Sequence, residues 1–252
     1  MIPGQKRVLI LGGTRDAIEL ATQAAAIPGV VVVTSLAGRT REPVIQSENT
    51  RIGGFGGISG LADYLHQQRI DLLIDATHPF AAQISFNAAA ATRHVGIPRL
   101  MLVRPPWQSV PGDRWLEVES NAAAAAMLPE LAQRIFLTIG RQELAAFAHL
   151  QQLWFLMRMI DPPHPDARIP HGKLLLERGP FLLENERSLL QAHKIEAIVS
   201  KNSGGTATYA KIIAARELGL PVVMVQRPAI PDGETVSDVR ASLTWLKTQL
   251  NL

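Results

Sequence analysis

The chain contains no cysteine, and this absence excludes disulfide bonds, thiolate zinc sites and cysteine nucleophiles. Its seven histidines show no His-Glu-x-x-His pair or similar spacing of metal ligands, so we expect no metal site. No apolar run is long enough to span a bilayer, and the first residues lack the apolar core of a signal peptide. We therefore expect a soluble, cytoplasmic protein that has no membrane partner.

Aromatic residues and clusters of one charge are also scarce. Aromatics make up 5% of the chain, and the formal net charge of +3 is not concentrated in any run of Lys and Arg. Nucleic acid is therefore not expected as a partner. A mildly basic cleft for a small polyanionic ligand fits the same charge. The 252 residues, 47% of them hydrophobic, suffice for one large domain or two of ordinary size.

The order of apolar runs and turns predicts an α/β fold. Residues 6–39 read as strand, glycine turn, helix and strand, and the continuous apolar run Val8–Leu11 is typical of a strand covered on both faces. A second unit has a strand at Leu72–Ile74, a helix from about Ala81 and a strand at Arg99–Val103. Strands that alternate with helices predict a parallel sheet with crossover helices.

The second half of the chain repeats the first. Three pairs of matching stretches lie 123, 125 and 128 residues apart, aligned on Gly96 and Gly219, Ile74 and Val199, and Gly12 and Gly140. We infer two similar α/β domains, 1–108 and 109–252, joined by the Pro-containing stretch 104–113. The last residues predict an amphipathic helix. Ligands bind beyond the carboxyl ends of the strands in such sheets.

The first strand runs into the glycine turn "GGTRDA", residues 12–17, which resembles a dinucleotide-binding fingerprint. Gly12 and Ala17 fill the outer positions, but Thr14 replaces the middle glycine. Gly13, Thr14 and Arg15 would then lie at a helix start whose backbone N–H groups can bind phosphate. The Thr14 hydroxyl and the Arg15 side chain can add donors. The alternative is an ordinary glycine turn.

The end of the next strand bears on the choice of cofactor. An NAD-binding domain usually has Asp or Glu about 20 residues on, bonded to the ribose. Here Ser35 and Arg39 take its place. A hydroxyl and a guanidinium suit a 2′-phosphate, so NADP(H) is favoured, while NADH stays possible. The alternative is that Arg39 is a solvated loop residue.

Two further stretches suggest a ligand site. The loop "GGFGG", with Gly54, Phe55, Gly56 and Gly57, would let the backbone approach a flat ligand closely, or it is a flexible surface loop. The stretch "DATHPF", 75–80, places Thr77 and His78 after a buried strand, and Pro79 is expected to start the next helix. Its Asp75 is either a helix cap or an orienting partner of His78.

These motifs resemble the precorrin-6A reductases of cobalamin biosynthesis, including the cobalt-precorrin-6A branch. The resemblance covers nearly the whole chain and follows the order of "LGGT", "SLAGR", "RIGGFGG", "DATHPFA", "IGRQE" and "SKNSGG". It implies two Rossmann-like parallel-sheet domains with the ligand cleft between them. It also implies that NADPH reduces one carbon–carbon double bond of the precorrin-6A macrocycle, giving precorrin-6B or its cobalt form.

The resemblance also implies roles for particular residues. The cofactor side would comprise Gly12, Gly13, Thr14, Arg15, Ser35, Arg39, Gly54, Phe55, Gly56, Gly57, Thr77, His78 and Pro79. The anionic tetrapyrrole would meet Arg141, Lys201, Asn202, Ser203, Gly204 and Gly205. His78, Lys201 or water could supply the proton. Neither protein partners nor the presence of cobalt in the ring can be read from the sequence.

Other functions fit the sequence less well. A short-chain dehydrogenase needs Tyr-x-x-x-Lys, and neither Tyr64 nor Tyr209 has Lys four residues on. A tetrapyrrole synthase or lyase would have no use for the "GGT" turn. A non-catalytic NADP(H) sensor is the main alternative, and it would bind the cofactor without consuming it.

Overall fold

The computed structural model describes residues 5–38 and 49–251. The chain forms two compact units. The first comprises Met1–Pro105 and Pro228–Leu252, and the second comprises Pro106–Arg227.

The first unit alternates strands and helices along the chain. Its elements are β1 (Lys6–Leu11), α1 (Arg15–Ala25), β2 (Val30–Leu36), β3 (Thr50–Ile52), α2 (Gly57–Gln67), β4 (Leu72–Asp75), α3 (Ala82–Val95) and β5 (Arg99–Leu102), with a last strand (Glu234–Val236) and helix (Val239–Leu250) from the C-terminus. The strands form one parallel sheet in the order last strand, β5, β4, β1, β2, β3. The predicted parallel sheet is therefore confirmed.

Helices cover both faces of this sheet. Leu20 of α1 and Leu246 of the C-terminal helix pack with Ile10 and Ile74 on one face. Leu61 and Leu65 of α2, together with α3, cover Leu73 and its neighbours on the other. Burial on both faces explains why β1 and β4 are apolar almost without interruption.

The second unit has the same architecture. Its elements are β6 (Trp115–Val118), α4 (Asn121–Leu131), β7 (Arg134–Thr138), a 3₁₀ helix (Arg141–Phe147), β8 (Trp154–Met159), β9 (Gly172–Leu176), α5 (Leu183–Ala192), β10 (Ala197–Lys201), α6 (Ala210–Glu217) and β11 (Val222–Val225). The C-terminal strand and helix of the first unit are accordingly β12 and α7.

The two sheets have equivalent strand orders. The second sheet runs β6, β11, β10, β7, β8, β9, and all its pairs are parallel. Counted along the chain, the first sheet has the Rossmann order 3-2-1-4-5-6. In the second sheet β7 to β11 take the equivalent positions, and β6, the first strand of that unit, takes the sixth. The internal repeat that the sequence predicts is therefore a repeat of fold, and the α/β class with two Rossmann-like sheets is confirmed.

The domain boundary at the C-terminus differs from our prediction of 109–252 for the second domain. β12 pairs with β5, and α7 packs on α1, so Pro228–Leu252 completes the first unit. The sixth strand of the second unit is instead β6, which comes from the start of that unit. Sequence spacing does not reveal this exchange of strands, because β6 and β12 could each pair with β5 or with β11. The ligand cleft expected between the halves stays a prediction.

Candidate functional site

The carboxyl ends of three strands align at the centre of the first sheet. Leu11, at the end of β1, is in register with Ser35 of β2 on one side and with Asp75 of β4 on the other. The connection after β1 leads to β2, whereas β4 continues toward β5, so the order of the sheet reverses between β1 and β4. This reversal is the point at which open α/β sheets bind their ligands.

The glycine turn after β1 is closely packed. The Gly12 N–H donates to the Ser35 carbonyl at 2.9 Å. A Cβ on Gly12 would lie 3.3 Å from Leu36 Cδ2 and 3.4 Å from Thr34 Cγ2, tighter than ordinary contact. Gly13 has a φ of +109°, which favours glycine. The turn therefore favours glycine at Gly13, and a side chain at Gly12 would require Leu36 and Thr34 to shift slightly.

Thr14 is the N-cap of α1, and its hydroxyl has two partners. Oγ1 accepts from the Ala17 N–H at 3.0 Å and donates to the Ala76 carbonyl at 2.9 Å. The hydroxyl proton is thus directed at the Ala76 carbonyl, and the predicted contact of Thr14 with the cofactor stays a prediction. Thr14 instead joins the β1–α1 turn to the loop after β4. The first backbone N–H groups of α1 remain available, as at any helix N-terminus.

The stretch after β4 forms two turns before α3 begins. Asp75 Oδ1 accepts from the Thr77 N–H at 3.1 Å and from the Thr77 hydroxyl at 2.7 Å. The Ala81 N–H donates to the His78 carbonyl at 2.7 Å. Pro79 therefore occupies the second position of a turn, where its fixed φ is favoured, and does not start the helix as we expected.

Asp75 and His78 have different environments. Asp75 is buried, and its Oδ2 has no hydrogen-bond partner among the described residues. His78 is exposed, and its Nδ1 accepts from the Phe80 N–H at 3.2 Å. In the neutral imidazole the proton is consequently on Nε2. Asp75 caps its own turn and does not cap α3, whose N-cap is Ala81.

Arg51 organises the glycine loop, and the sequence analysis missed it. It lies in β3, in register with Ser35, and its Nη1 is 3.5 Å from Ser35 Oγ. The guanidinium donates to the carbonyls of Gly53 and Gly54 at 2.5 and 2.6 Å. Its Cζ also lies 3.9 Å from the centre of the Phe55 ring. The position of Arg51 two residues before Gly53 was the available signal.

Phe55 therefore packs within the protein. Its ring meets that of Tyr64 edge-on, with centroids 5.2 Å apart. Gly56 is the N-cap of α2 with a φ of +80°, and Gly57 follows at +88°. A Cβ on Gly60 would lie 1.8 Å from the Phe55 carbonyl oxygen, so this unpredicted glycine is also required. The loop leaves the N-terminus of α2 without a side-chain cap.

Two arginines, Arg15 and Arg39, are among the predicted cofactor residues. Arg15 begins α1 and its side chain is exposed at the carboxyl edge of the sheet. Arg39 lies outside the described residues, and its role stays a prediction.

In the second unit, Asn202 anchors the loop after β10. Its Oδ1 accepts from the Trp107 N–H at 2.8 Å, and its Nδ2 donates to the Trp107 carbonyl at 3.0 Å. The Trp107 indole N–H donates to the Gly205 carbonyl at 2.7 Å. Asn202 is buried, so its amide holds Trp107 and fixes the loop.

The other predicted substrate residues also lie at the carboxyl edge of the second sheet. Lys201 ends β10 and forms an ion pair with Glu143 of the 3₁₀ helix. Arg141 donates to the Pro162 carbonyl at 3.2 Å. Ser203 is buried, and its N–H donates to the Lys201 carbonyl at 2.8 Å. Gly204 and Gly205 both have positive φ, at +67° and +75°.

The two units differ in the element that follows their equivalent central strands, β1 and β7. In the first unit this element is a capped α-helix of 11 residues, and in the second it is a 3₁₀ helix of 7 residues. Among the described residues no group of three acidic or histidine side chains could hold a metal ion. No helix in the same residues is long and apolar enough to cross a membrane.

These features define a class of protein. A Rossmann-ordered parallel sheet with a glycine turn and a capped helix at its switch point is a nucleotide-binding module of the kind found in oxidoreductases. Because the chain contains two such sheets, the class is that of proteins with two Rossmann-like domains.

Comparisons with known proteins give the family. The family model described as "Precorrin-6x reductase CbiJ/CobK" matches residues 7–247. The chain is 52% identical to a precorrin-6A reductase of Rhodococcus erythropolis over 96% of this chain and 98% of that one. It is 28% identical to a cobalt-precorrin-6A reductase of Priestia megaterium, over 91% and 94%. A solved structure titled "CobK precorrin-6A reductase" matches with a TM-score of 0.91 and 44% identity, over 97% of both chains.

The chain therefore belongs to the precorrin-6x reductase family. It is an oxidoreductase of cobalamin biosynthesis, and the resemblance that the motifs indicated is confirmed.

Proposed function

We propose that the protein reduces a carbon–carbon double bond of precorrin-6A, or of its cobalt form, with NADPH. The observation that carries this proposal is the site after β1 and β4, in a chain that belongs to a reductase family. The 52% identical relative, a precorrin-6A reductase, favours the cobalt-free substrate over that of the 28% identical cobalt-precorrin-6A reductase.

The residues of the first unit fit a dinucleotide. The N-terminus of α1 offers backbone N–H groups and the exposed Arg15 side chain to the phosphates. Thr77, His78 and Pro79 lie after β4, where the nicotinamide end of the cofactor would bind. A bound nicotinamide supplies a hydride. The chain has to orient it and exclude water, which is the protein's usual part in such reactions.

The preference for NADPH rests on the end of β2. Ser35 stands where an NAD-binding domain has a carboxylate, and the Arg51 guanidinium lies 3.5 Å from its hydroxyl. A carboxylate there would repel a 2′-phosphate, whereas a hydroxyl beside a cation attracts it. We include Arg39 in this subsite from its place in the sequence.

Replacing Arg39 by Ala is expected to weaken NADPH binding about ten- to hundredfold, because one charge-assisted contact is lost. NADH binding should stay near that of the unaltered protein, since NADH has no 2′-phosphate. Titration of both cofactors with the variant measures this. Equal weakening of both would remove Arg39 from the 2′-phosphate subsite.

The second unit carries groups that suit an anionic macrocycle. Lys201, Arg141 and the loop at Ser203–Gly205 provide cations and hydroxyl or amide donors for its acetate and propionate groups. Ile160, Leu176 and Leu182 are exposed large apolar side chains at the same edge of the sheet. Exposed apolar groups near cations match a flat ring with a charged rim.

The proton that accompanies the hydride has two side-chain candidates. Lys201 is paired with Glu143, and His78 can donate from Nε2. Water is the third source. Reduction of an electron-poor conjugated ring requires orientation more than a strong acid.

NADPH oxidation, measured with and without precorrin-6A, separates the enzyme from the sensor. The enzyme oxidises NADPH only when the tetrapyrrole is present. A non-catalytic NADP(H) sensor would bind NADPH tightly in both samples and consume none. That second result would overturn the proposed function.

A further inference from the structure

Lys211 is a buried lysine whose amine has no hydrogen-bond partner among the described residues. It is the second residue of α6, which follows β10 and the loop at 202–205, and only 4% of its surface is exposed. Within the described part of the chain, its Nζ has no hydrogen bond and no carboxylate at ion-pair distance. Nζ lies 5.4 Å from the centre of the Trp107 ring, a cation–π contact.

The charged groups around Lys211 are already paired with one another. Arg158 of β8 donates to both carboxylate oxygens of Glu186 in α5, at 2.5 and 2.7 Å. Glu177, after β9, approaches Arg158 at 3.6 Å. The Arg158 guanidinium also lies 3.7 Å from the centre of the Phe181 ring. Each Glu186 oxygen is thus bonded to Arg158, and no hydrogen bond from Lys211 to Glu186 is formed among the described residues.

This arrangement is costly for folding. Burial, together with the Arg158 charge, lowers the pKa of Lys211 to about 7, against the opposing effect of the Glu186 charge. A buried lysine that gains no hydrogen bond contributes little to stability, and such strained groups cluster at functional sites. Lys211 also lies in the first turn of α6, where the positive end of the helix dipole favours an anion.

The position of Lys211 connects it to the predicted substrate loop. Trp107, which contacts the amine, is held by Asn202 and donates to the Gly205 carbonyl. We propose that Lys211 binds a carboxylate of the tetrapyrrole substrate beside this loop. This inference rests on the proposed function. It concerns the substrate rather than the cofactor phosphates, because the phosphate-binding helix start lies in the first unit.

The test compares Lys211→Met with Lys173→Met, which removes an exposed lysine from β9 of the same unit. Equilibrium binding of precorrin-6A is measured with NADP⁺ present, so that no turnover occurs. We expect Lys211→Met to weaken this binding about ten- to hundredfold. NADPH binding should not change, and Lys173→Met should alter neither. Weakened NADPH binding with normal tetrapyrrole binding would instead place a cofactor phosphate on Lys211.

Proton uptake gives a second readout that a structural lysine would not produce. An anion next to Lys211 raises its pKa, so the unaltered protein should take up protons on binding precorrin-6A at pH 7.5. Calorimetry in buffers of different ionisation enthalpy measures this, and Lys211→Met should abolish it. The affinity should also fall as the pH rises above 7 only in the protein that keeps Lys211.

The outcomes distinguish the two proposals. Normal turnover with unchanged tetrapyrrole affinity in Lys211→Met would overturn the role of Lys211 and leave the proposed function intact. If the unaltered protein binds no precorrin-6A, both proposals fail. If Lys211→Met unfolds more easily than the unaltered protein at pH 6, the lysine is structural, because removal of a costly buried charge should stabilise the fold.

Discussion

At the scale of single residues, Thr14 shows how one hydroxyl joins two loops of the site. It caps α1 through the Ala17 N–H and reaches across to the Ala76 carbonyl after β4. The replacement of the usual fingerprint glycine by threonine therefore has a structural cause. The side chain fixes the two turns between which the cofactor would bind.

Replacing Thr14 by Val should destabilise the protein by about 1–3 kcal/mol. The variant loses the cap of α1 and leaves the buried Ala76 carbonyl without its donor. NADPH affinity should fall as well, because the helix start is less well fixed. Chemical denaturation and cofactor titration measure both effects, with Thr14→Ser as the control that retains the hydroxyl. Equal stability of the Val and Ser variants would contradict the role of the hydroxyl.

Sequence reasoning predicted the residue types at this edge better than their roles. It selected Thr14, Asp75 and Asn202, because polar residues after buried strands are unusual. It assigned Thr14 and Asn202 to ligands, although their side chains bond to Ala76 and Trp107. Such long-range partners are set by tertiary packing, and sequence spacing does not encode them.

At the scale of elements, the C-terminal helix α7 is the clearest case of a correct element in an unexpected place. The stripe that predicted an amphipathic helix is confirmed, since Leu246 and Leu250 are buried. They pack in the core of the first unit, against α1. Periodicity gives the buried face of a helix, but it does not say which of two similar sheets that face covers.

Because β12 and α7 complete the first unit, we predict that fragments with and without them fold differently. Residues 1–108 alone lack β12 and α7, so β5 has an open edge and the apolar face of α1 is uncovered. We expect this fragment to unfold without cooperativity or to aggregate. A chain that joins 1–105 to 228–252 through a flexible linker should melt cooperatively and bind NADPH. Circular dichroism and cofactor titration compare the two.

A cooperative transition in the fragment 1–108, at the same temperature as in the joined chain, would contradict the exchange. It would mean that β12 and α7 contribute no stability to the first unit.

At the scale of the whole molecule, the repeated sheet explains why function could be inferred from sequence. Both halves place their loops at the carboxyl ends of parallel strands, so one rule locates both sets of polar residues. The halves differ at the carboxyl end of their central strands, where ligands are expected to bind. A capped α-helix follows β1, whereas a 3₁₀ helix follows β7. This difference assigns phosphate binding to the first unit in our proposal.

The central claim is that the hydride of NADPH enters the macrocycle. The most direct measurement uses NADPH that carries deuterium at both C4 positions of the nicotinamide, incubated with precorrin-6A and the protein, and mass spectrometry of the tetrapyrrole. The account predicts a reduced macrocycle that contains one deuterium, formed in step with the NADP⁺ produced. Oxidised cofactor with no deuterium in the macrocycle, or an unreduced macrocycle, would contradict it.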